Sequence, residues 1–187
     1  MKIYPSAEDQ IDDAAVKRYF NATTEGGTAA SISMMAHEHN LPLRAAQFRR
    51  RKEIEMIADW LDAVPEPQRV LDIGCGAGAW AETFGKRYPT VVGLEQSPLM
   101  VMAARERVAA LPNVKILGGD VRTDLPEGPF DLIFVGGLCM YLNDADVVAL
   151  LRSLRGRLSK RGSILLREST VPKASSPLRA LSLASST

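Results

Sequence analysis

The chain has 187 residues, 46% of them hydrophobic and 24% charged, with a formal net charge of +1. That length suits one domain with some extension, and the balanced charge gives no electrostatic case for nucleic acid or a membrane surface as the main partner. The two cysteines, Cys75 and Cys139, show no metal-ligand spacing, so a reducing compartment is expected. No signal peptide is visible. The longest apolar run, 130–142, is interrupted by Asp131, Gly136 and Gly137 and falls short of the roughly 20 residues of a membrane span. The expectation is a cytoplasmic protein.

Ser6 to Asp9 reads as a capping box, with Ile11, Ala15 and Tyr19 following at helical spacing to about Asn21. Residues 23–28 then read as a loop. Ser31 to Asn40 suggests a short helix carrying His37 and His39. Their i, i+2 spacing puts them on different faces, so no metal pair is expected, and a solvated or lid histidine is the reading. A second helix spans Ala45 to Val64, with Phe48, Ile54, Ile57, Ala58 and Leu61 near one face. Its basic run, 49–52, is either a solvated face or a clamp for carboxylate or phosphate. Residues 65–67, Pro-Glu-Pro, end it. Everything before Arg69 forms an N-terminal helical cap, residues 1–68.

From Arg69 strands and helices alternate. Val70 to Ile73 reads as a buried strand, followed by the glycine-spaced turn Gly74-Cys75-Gly76-Ala77-Gly78. Gly74 and Gly76 allow positive φ and close approach of a ligand, and Gly78 lets the next helix pack against the strand. Cys75 needs only to be small there and is not read as a nucleophile. The helix from Ala79 to Tyr88 buries Trp80 and Phe84, and Pro89 stops it. Strand two, Val91 to Leu94, ends at Glu95. Ser97 caps a helix with Pro98 at its first position, running to about Leu111. Val114 to Leu117 is strand three, leading to Asp120. Phe130 to Val135 is strand four. Asn143 caps a helix whose Val147, Leu150, Leu151, Leu154 and Leu158 form one apolar stripe. A turn at 160–162 leads into strand five, Ser163 to Arg167. The alternation implies an α/β fold with a doubly wound, mainly parallel sheet over 69–168. Ligands should bind where the strand order reverses, outside the carboxyl ends.

Two ligand classes share this opening. The turn fits both Gly-x-Gly-x-Gly and a dinucleotide pattern, and Glu95 at a strand end can accept from ribose hydroxyls in either. A tight βα turn without a ligand is the plain alternative.

Residues 69–168 resemble class I S-adenosylmethionine-dependent methyltransferases, a Rossmann-like superfamily. Val70 to Gly78 is similar to their first motif, including the acid Asp72, which in that family helps hold the ligand's ammonium group. Val92-Gly93-Leu94-Glu95-Gln96-Ser97 looks like the second motif. Gly119-Asp120-Val121 looks like the third, where Asp accepts from the adenine amino group. Phe130 to Val135 and the turn at 158–162 resemble strand four and the approach to strand five, with Lys160-Arg161 where Pro-Gly is usual. The resemblance implies S-adenosyl-L-methionine as cofactor, S-adenosyl-L-homocysteine as product, and no metal. It implies cofactor contacts by Asp72, Gly74, Cys75, Gly76, Gly78, Glu95, Gln96, Asp120, Val121 and Gly136. A sulfonium already leaves readily, so alignment can supply most of the catalysis, and no catalytic triad is visible.

The acceptor site should be lined by residues 136–141 and the N-terminal cap. Tyr141 and the lid residue His37 are the candidates for orienting the acceptor or taking its proton, with a packing aromatic as the alternative for Tyr141. Arg44, Arg49 and Arg50 could hold an acidic substrate. The expected reaction is methyl transfer to an N or O atom of a small-molecule acceptor, without nucleic acid or membrane. After Glu168 only 19 residues follow, Ser/Ala-rich with two prolines, and they are expected to be disordered. The two further strands usual in the family would then be missing, leaving strand five as an apolar edge able to pair homodimers. A truncated or non-catalytic cofactor-binding module acting through a partner chain is the alternative. A nicotinamide-dependent oxidoreductase is disfavoured by Asp72 and Asp120.

Overall fold

The computed structural model describes residues 11–25, 43–64 and 68–168. Helix α1, Asp13–Glu25, and helix α2, Leu43–Asp62, precede an alternating core. The core runs β1 (Arg69–Ile73), α3 (Ala79–Gly85), β2 (Thr90–Glu95), α4 (Pro98–Arg107), β3 (Val114–Gly118), β4 (Phe130–Gly136), a 3-10 turn (Cys139–Tyr141), α5 (Asp144–Arg155) and β5 (Leu158–Arg167). The strands form one sheet in the order β3-β2-β1-β4-β5, all neighbours parallel. The expected parallel, doubly wound α/β sheet is therefore observed. The order reverses at β1, between β2 and β4.

Alternation along each strand sends side chains to opposite faces. Val70, Val91, Ile116, Leu132 and Phe134 meet Leu61 of α2, Phe84 of α3 and Val101 and Ala104 of α4. Leu71, Ile73, Val92, Leu94, Ile133 and Val135 meet Leu150 and Leu154 of α5. Apolar cover on both faces explains why the inner strands read as continuous hydrophobic runs.

Several boundaries differ from the sequence reading, each for a local reason. α1 begins at Asp13, where Asp12 Oδ1 accepts from the amides of Ala14 (2.9 Å) and Ala15 (3.1 Å). The expected capping box, Ser6 to Asp9, lies outside the described residues, as do residues 31–40 and the tail beyond Glu168. α3 stops at Gly85, not Tyr88. The Asn113 side-chain amide donates to the carbonyls of Gly85 and Tyr88, both at 2.8 Å, and so satisfies that helix end. α4 stops at Arg107. β5 begins at Leu158. Phe130 pairs with Leu158 but Leu132 pairs with Ser163, so the expected turn at 160–162 is a slip in the ladder inside one strand. Asn143 stands at the N-cap of α5 without a side-chain cap bond. Its Oδ1 accepts instead from the Ile11 amide at 2.8 Å, tethering the segment before α1 to the core.

Gly78 has φ +77°, and a Cβ there would lie 3.0 Å from Ala104 Cα and Cβ. Its smallness thus serves the approach of α3 to α4, and not of α3 to the strand. Among the described residues the outer edge of β5 has no partner strand, and Leu166 on it is 47% exposed.

Candidate functional site

A cavity opens over the carboxyl ends of β1, β2 and β4, where the strand order reverses. It is lined by Gly74, Cys75 and Gly76 of the turn, by Glu95 and Gln96 after β2, by Asp120 and Val121 after β3, and by Gly136, Leu138 and Tyr141 after β4. α1 closes one side with Asp13, Val16, Lys17 and Phe20. Asp72 and Gly78 do not line it. His37 lies outside the described residues.

The turn is folded largely on its own amides. Gly74 and Cys75 N–H donate to Leu94 O at 2.9 and 3.1 Å, and Gly78 N–H donates to Cys75 O at 3.0 Å. Gly76 N–H donates to Glu95 Oε2 at 2.9 Å, while Glu95 Oε1 accepts from Ser97 N–H at 2.9 Å. Glu95 is thus a brace that ties the glycine turn to the start of α4. Its burial raises its pKa, against the pull of the amides of Ser97, Gly76 and Gln96. Each carboxylate oxygen still has a second acceptor direction. At Gly76, φ is +53° and a Cβ would meet nothing within 4 Å, so the backbone there faces open space. That space lets a ligand approach the main chain.

Asp72 sits beneath the turn at 1% exposure. It accepts from the Ala81 amide at the start of α3, yet its Oδ2 has no partner among the described residues. Burial raises its pKa from 3.8 to about 7, opposed by that amide, with Glu95 adding to the rise and Arg50 of α2 opposing it. Arg50, itself half-buried, donates to Thr83 Oγ1 at 2.5 Å.

At the far rim Arg122 grips Asp120 through Nε to Oδ1 (2.9 Å) and Nη2 to Oδ2 (2.7 Å). The Arg122 hydrogen bond is the main reason the Asp120 pKa falls. Arg122 also pairs with Asp13, and Lys17 lies 3.9 Å from Asp120, so α1 is latched to the rim by charge. Phe20 meets Tyr141 edge-on at 4.9 Å, and Tyr141 is 9% exposed. Trp80, expected in the core, is half-buried and lines the cavity while packing on Phe134 at 4.9 Å.

At the β5 side Arg167 lines the cavity and pairs with Glu53 of α2. Glu168 Oε1 accepts from the Leu138 and Cys139 amides at 3.0 and 3.1 Å, fixing the 3-10 turn that carries Tyr141. Burial and the neighbouring Glu168 push the Cys139 thiol up to about 12, and burial pushes Cys75 well up, so neither thiol is an activated nucleophile. No group of three or more metal-ligating side chains occurs among the described residues.

Sequence reading did not single out Asp13, Lys17, Phe20, Arg122 or Arg167 as site residues. The first three, with Val16, fall at i, i+3, i+4 and i+7, a helix face visible in the sequence but masked by the competing Ile11-Ala15-Tyr19 stripe. Arg122 and Arg167 gave no signal, because their partners come from distant segments.

A sequence profile described as the methyltransferase domain matches residues 70–162, from β1 into β5. Residues 70–162 belong to the class I S-adenosylmethionine-dependent methyltransferase family. Over 89 residues the chain is 42% identical to a trans-aconitate 2-methyltransferase of Methylobacterium nodulans, covering 46% of this chain and 33% of that protein. It resembles the S-adenosylmethionine-bound structure of CalS10, an amino pentose methyltransferase from Micromonospora echinaspora. That match has 32% identity and a TM-score of 0.58, and it covers 72% of this chain and 59% of that one. Phosphoethanolamine N-methyltransferase 1 of Haemonchus contortus, solved with phosphoethanolamine and S-adenosylhomocysteine, shares the fold at a TM-score of 0.69 and 23% identity. The match covers 94% of this chain and 36% of that one. The chain spans only about a third of the length of the first curated relatives it matches. No helix among the described residues is long and apolar enough to cross a membrane.

Proposed function

We propose that this chain binds S-adenosyl-L-methionine in the cavity and transfers its methyl group to an oxygen or nitrogen atom of a small-molecule acceptor in the cytoplasm. The observation that carries the reading is the convergence of the glycine turn, Glu95, Asp120 and the end of β4 on one cavity at the point of strand reversal. The residues present suit such a ligand. Open space stands over Gly76, and Glu95 and Asp120 on the cavity wall are acceptors for ribose and adenine donors. Asp72 lies beneath the turn and off that wall, and its Oδ2, without a partner among the described residues, is an acceptor for an ammonium group lodged under the turn.

When bound, the cofactor supplies a methyl group on a sulfonium, a leaving group that needs no activation. The chain's own task is then alignment. Glu95 holds the turn in shape, Glu168 holds the 3-10 turn bearing Tyr141, and α1 excludes water with Val16 and Phe20. Tyr141 orients the acceptor. Arg167, a cation beside the end of β4, favours an acidic acceptor, a reading also supported by the relative named for trans-aconitate.

Calorimetry with S-adenosylmethionine, S-adenosylhomocysteine and NAD tests the cofactor. Formation of S-adenosylhomocysteine with a metabolite extract, then with purified di- and tricarboxylic acids, tests the reaction. NAD binding without S-adenosylhomocysteine binding refutes the proposal. The β5 edge, without a partner strand among the described residues, favours a second reading, a cofactor-binding module that acts through a partner chain. Tight S-adenosylhomocysteine binding with no turnover on any extract fraction would select it.

A further inference from the structure

Among the described residues helix α2 meets the core chiefly by one face, with Asp62 near its end also paired to Arg87. Ile57 and Leu61 pack on the sheet, Arg50 reaches Thr83 and Glu53 reaches Arg167. The opposite face is uncovered among the described residues and carries Phe48 at 53%, Met56 at 78% and Trp60 at 62% exposure. With Lys52 these positions form one row at i, i+4, i+8 and i+12, a ridge along the helix. Isolated exposed apolar residues are ordinary, but three large ones in line mark a contact surface.

The charges on that face are sorted by position. The exposed basic residues Arg44, Arg49, Arg51 and Lys52 all precede residue 53, and the exposed acidic residues Glu55, Asp59 and Asp62 all follow it. Lys52 pairs with Glu55 at 2.6 Å, Arg49 with Glu53 and Asp62 with Arg87, so Arg44, Arg51 and Asp59 carry most of the charge left for a partner. Arg51 and Lys52 lie over the Phe48 ring at 5.5 and 5.9 Å. A single helix with a basic half and an acidic half is complementary to itself when turned end for end. An anionic lipid surface or nucleic acid would meet the acidic half with repulsion.

We infer that the outer face of α2 is a self-association surface, on which a second copy of this chain lays its own α2 antiparallel. The basic half of each helix then meets the acidic half of the other, and the Phe48-Met56-Trp60 ridges pack between them. The contact is isologous, with the same patch on both copies. A 20-residue helix is about 30 Å long, and one such pair covers less than the roughly 1,600 Å² of a standard interface. The dimer is therefore weak, concentration-dependent and sensitive to salt. It does not depend on the catalytic reading, and it uses a different surface from the β5 edge.

Sedimentation velocity over a concentration series on the full chain tests it, with the thermal midpoint of every variant as a folding control. The wild type shows a monomer–dimer equilibrium that weakens with added salt. Trp60→Ala and Met56→Gln each weaken the dimer by about tenfold with the midpoint unchanged, as loss of a central apolar anchor requires. R51E/K52E weakens it, and so does E55K/D59K. The fourfold variant R51E/K52E/E55K/D59K restores it to within about threefold, because the polarity is reversed but complementarity is kept. Monomer at every concentration overturns the inference. So does a dimer indifferent to the α2 substitutions, which places association at the β5 edge, or a folded fourfold variant that stays monomeric. Cosedimentation of a monomeric chain with anionic vesicles would place a lipid surface here and overturn it as well.

Discussion

Asp72→Asn is the most discriminating substitution in this structure. The Asp72 carboxyl is buried, and its folded pKa is about 7 against an ordinary 3.8. Between those values the folded chain keeps a proton that the unfolded chain has released. An acid raised in this way makes stability fall as pH rises. Each pH unit is worth about 1.4 kcal/mol, so the loss is about 4 kcal/mol by pH 7 and flat above it. Asn cannot ionise, and it keeps an oxygen for the Ala81 amide. Its NH₂ group needs an acceptor and costs about 1–3 kcal/mol if none is found. Urea denaturation of both proteins from about pH 4 to about pH 8 isolates the effect, since other titrating groups are common to both. The wild type should match or exceed the variant at the acid end and lose about 4 kcal/mol relative to it on reaching pH 7. An ammonium group lodged at Asp72 would favour the ionised carboxylate, so S-adenosylhomocysteine affinity should rise with pH up to about 7 in the wild type and flatten in Asp72→Asn. Parallel stability curves would refute the buried-proton argument, and a pH-independent affinity difference would refute the ammonium assignment.

Glu95→Ala leaves the Gly76 and Ser97 amides without their acceptor and should cost about 2–4 kcal/mol in urea denaturation, along with most cofactor affinity by calorimetry. Gly78→Ala places a Cβ 3.0 Å from the Ala104 backbone at φ +77° and should lower stability by about 1–3 kcal/mol by the same method. Asp120→Ala should weaken adenosyl-ligand binding by about 1–3 kcal/mol; unchanged calorimetric affinity would remove Asp120 from the adenine site. The same variant releases Arg122 from one of its two carboxylates, so amide exchange in α1 should quicken.

Much of the architecture could be read from the chain because it depends on local pattern. Short apolar-rich segments bounded by turn residues, the Ser97-Pro98 start and the leucine stripe of α5 each specify an element regardless of its neighbours. What escaped depends on contacts across the sequence. The end of α3 is set by Asn113, 28 residues beyond Gly85. The role of Asn143 is set by Ile11, 132 positions away. Gly78 answers to Ala104, which is not even on the adjoining strand. The site shows the same division. Its glycine turn and the strand-end acids follow from motif and spacing, whereas the Arg122-Asp13 latch and the Arg167-Glu53 pair required α1 and α2 to be placed in space.

The central place of β1 has a consequence for the order in which the molecule comes together. Val70 pairs with Val91 on one side and with Leu132 on the other, 21 and 62 residues downstream. The first closure is short and the second encloses the whole β2–β3 half, yet closure cost grows only logarithmically with length, so docking of β4 costs about 1 kcal/mol more than the β1–β2 closure. Until that strand inserts, Gly136 and Tyr141 are absent from the rim and the glycine turn stands on a half-built floor. A ligand of this cavity recognises only the completed sheet, and by mass action it stabilises the folded chain as a whole.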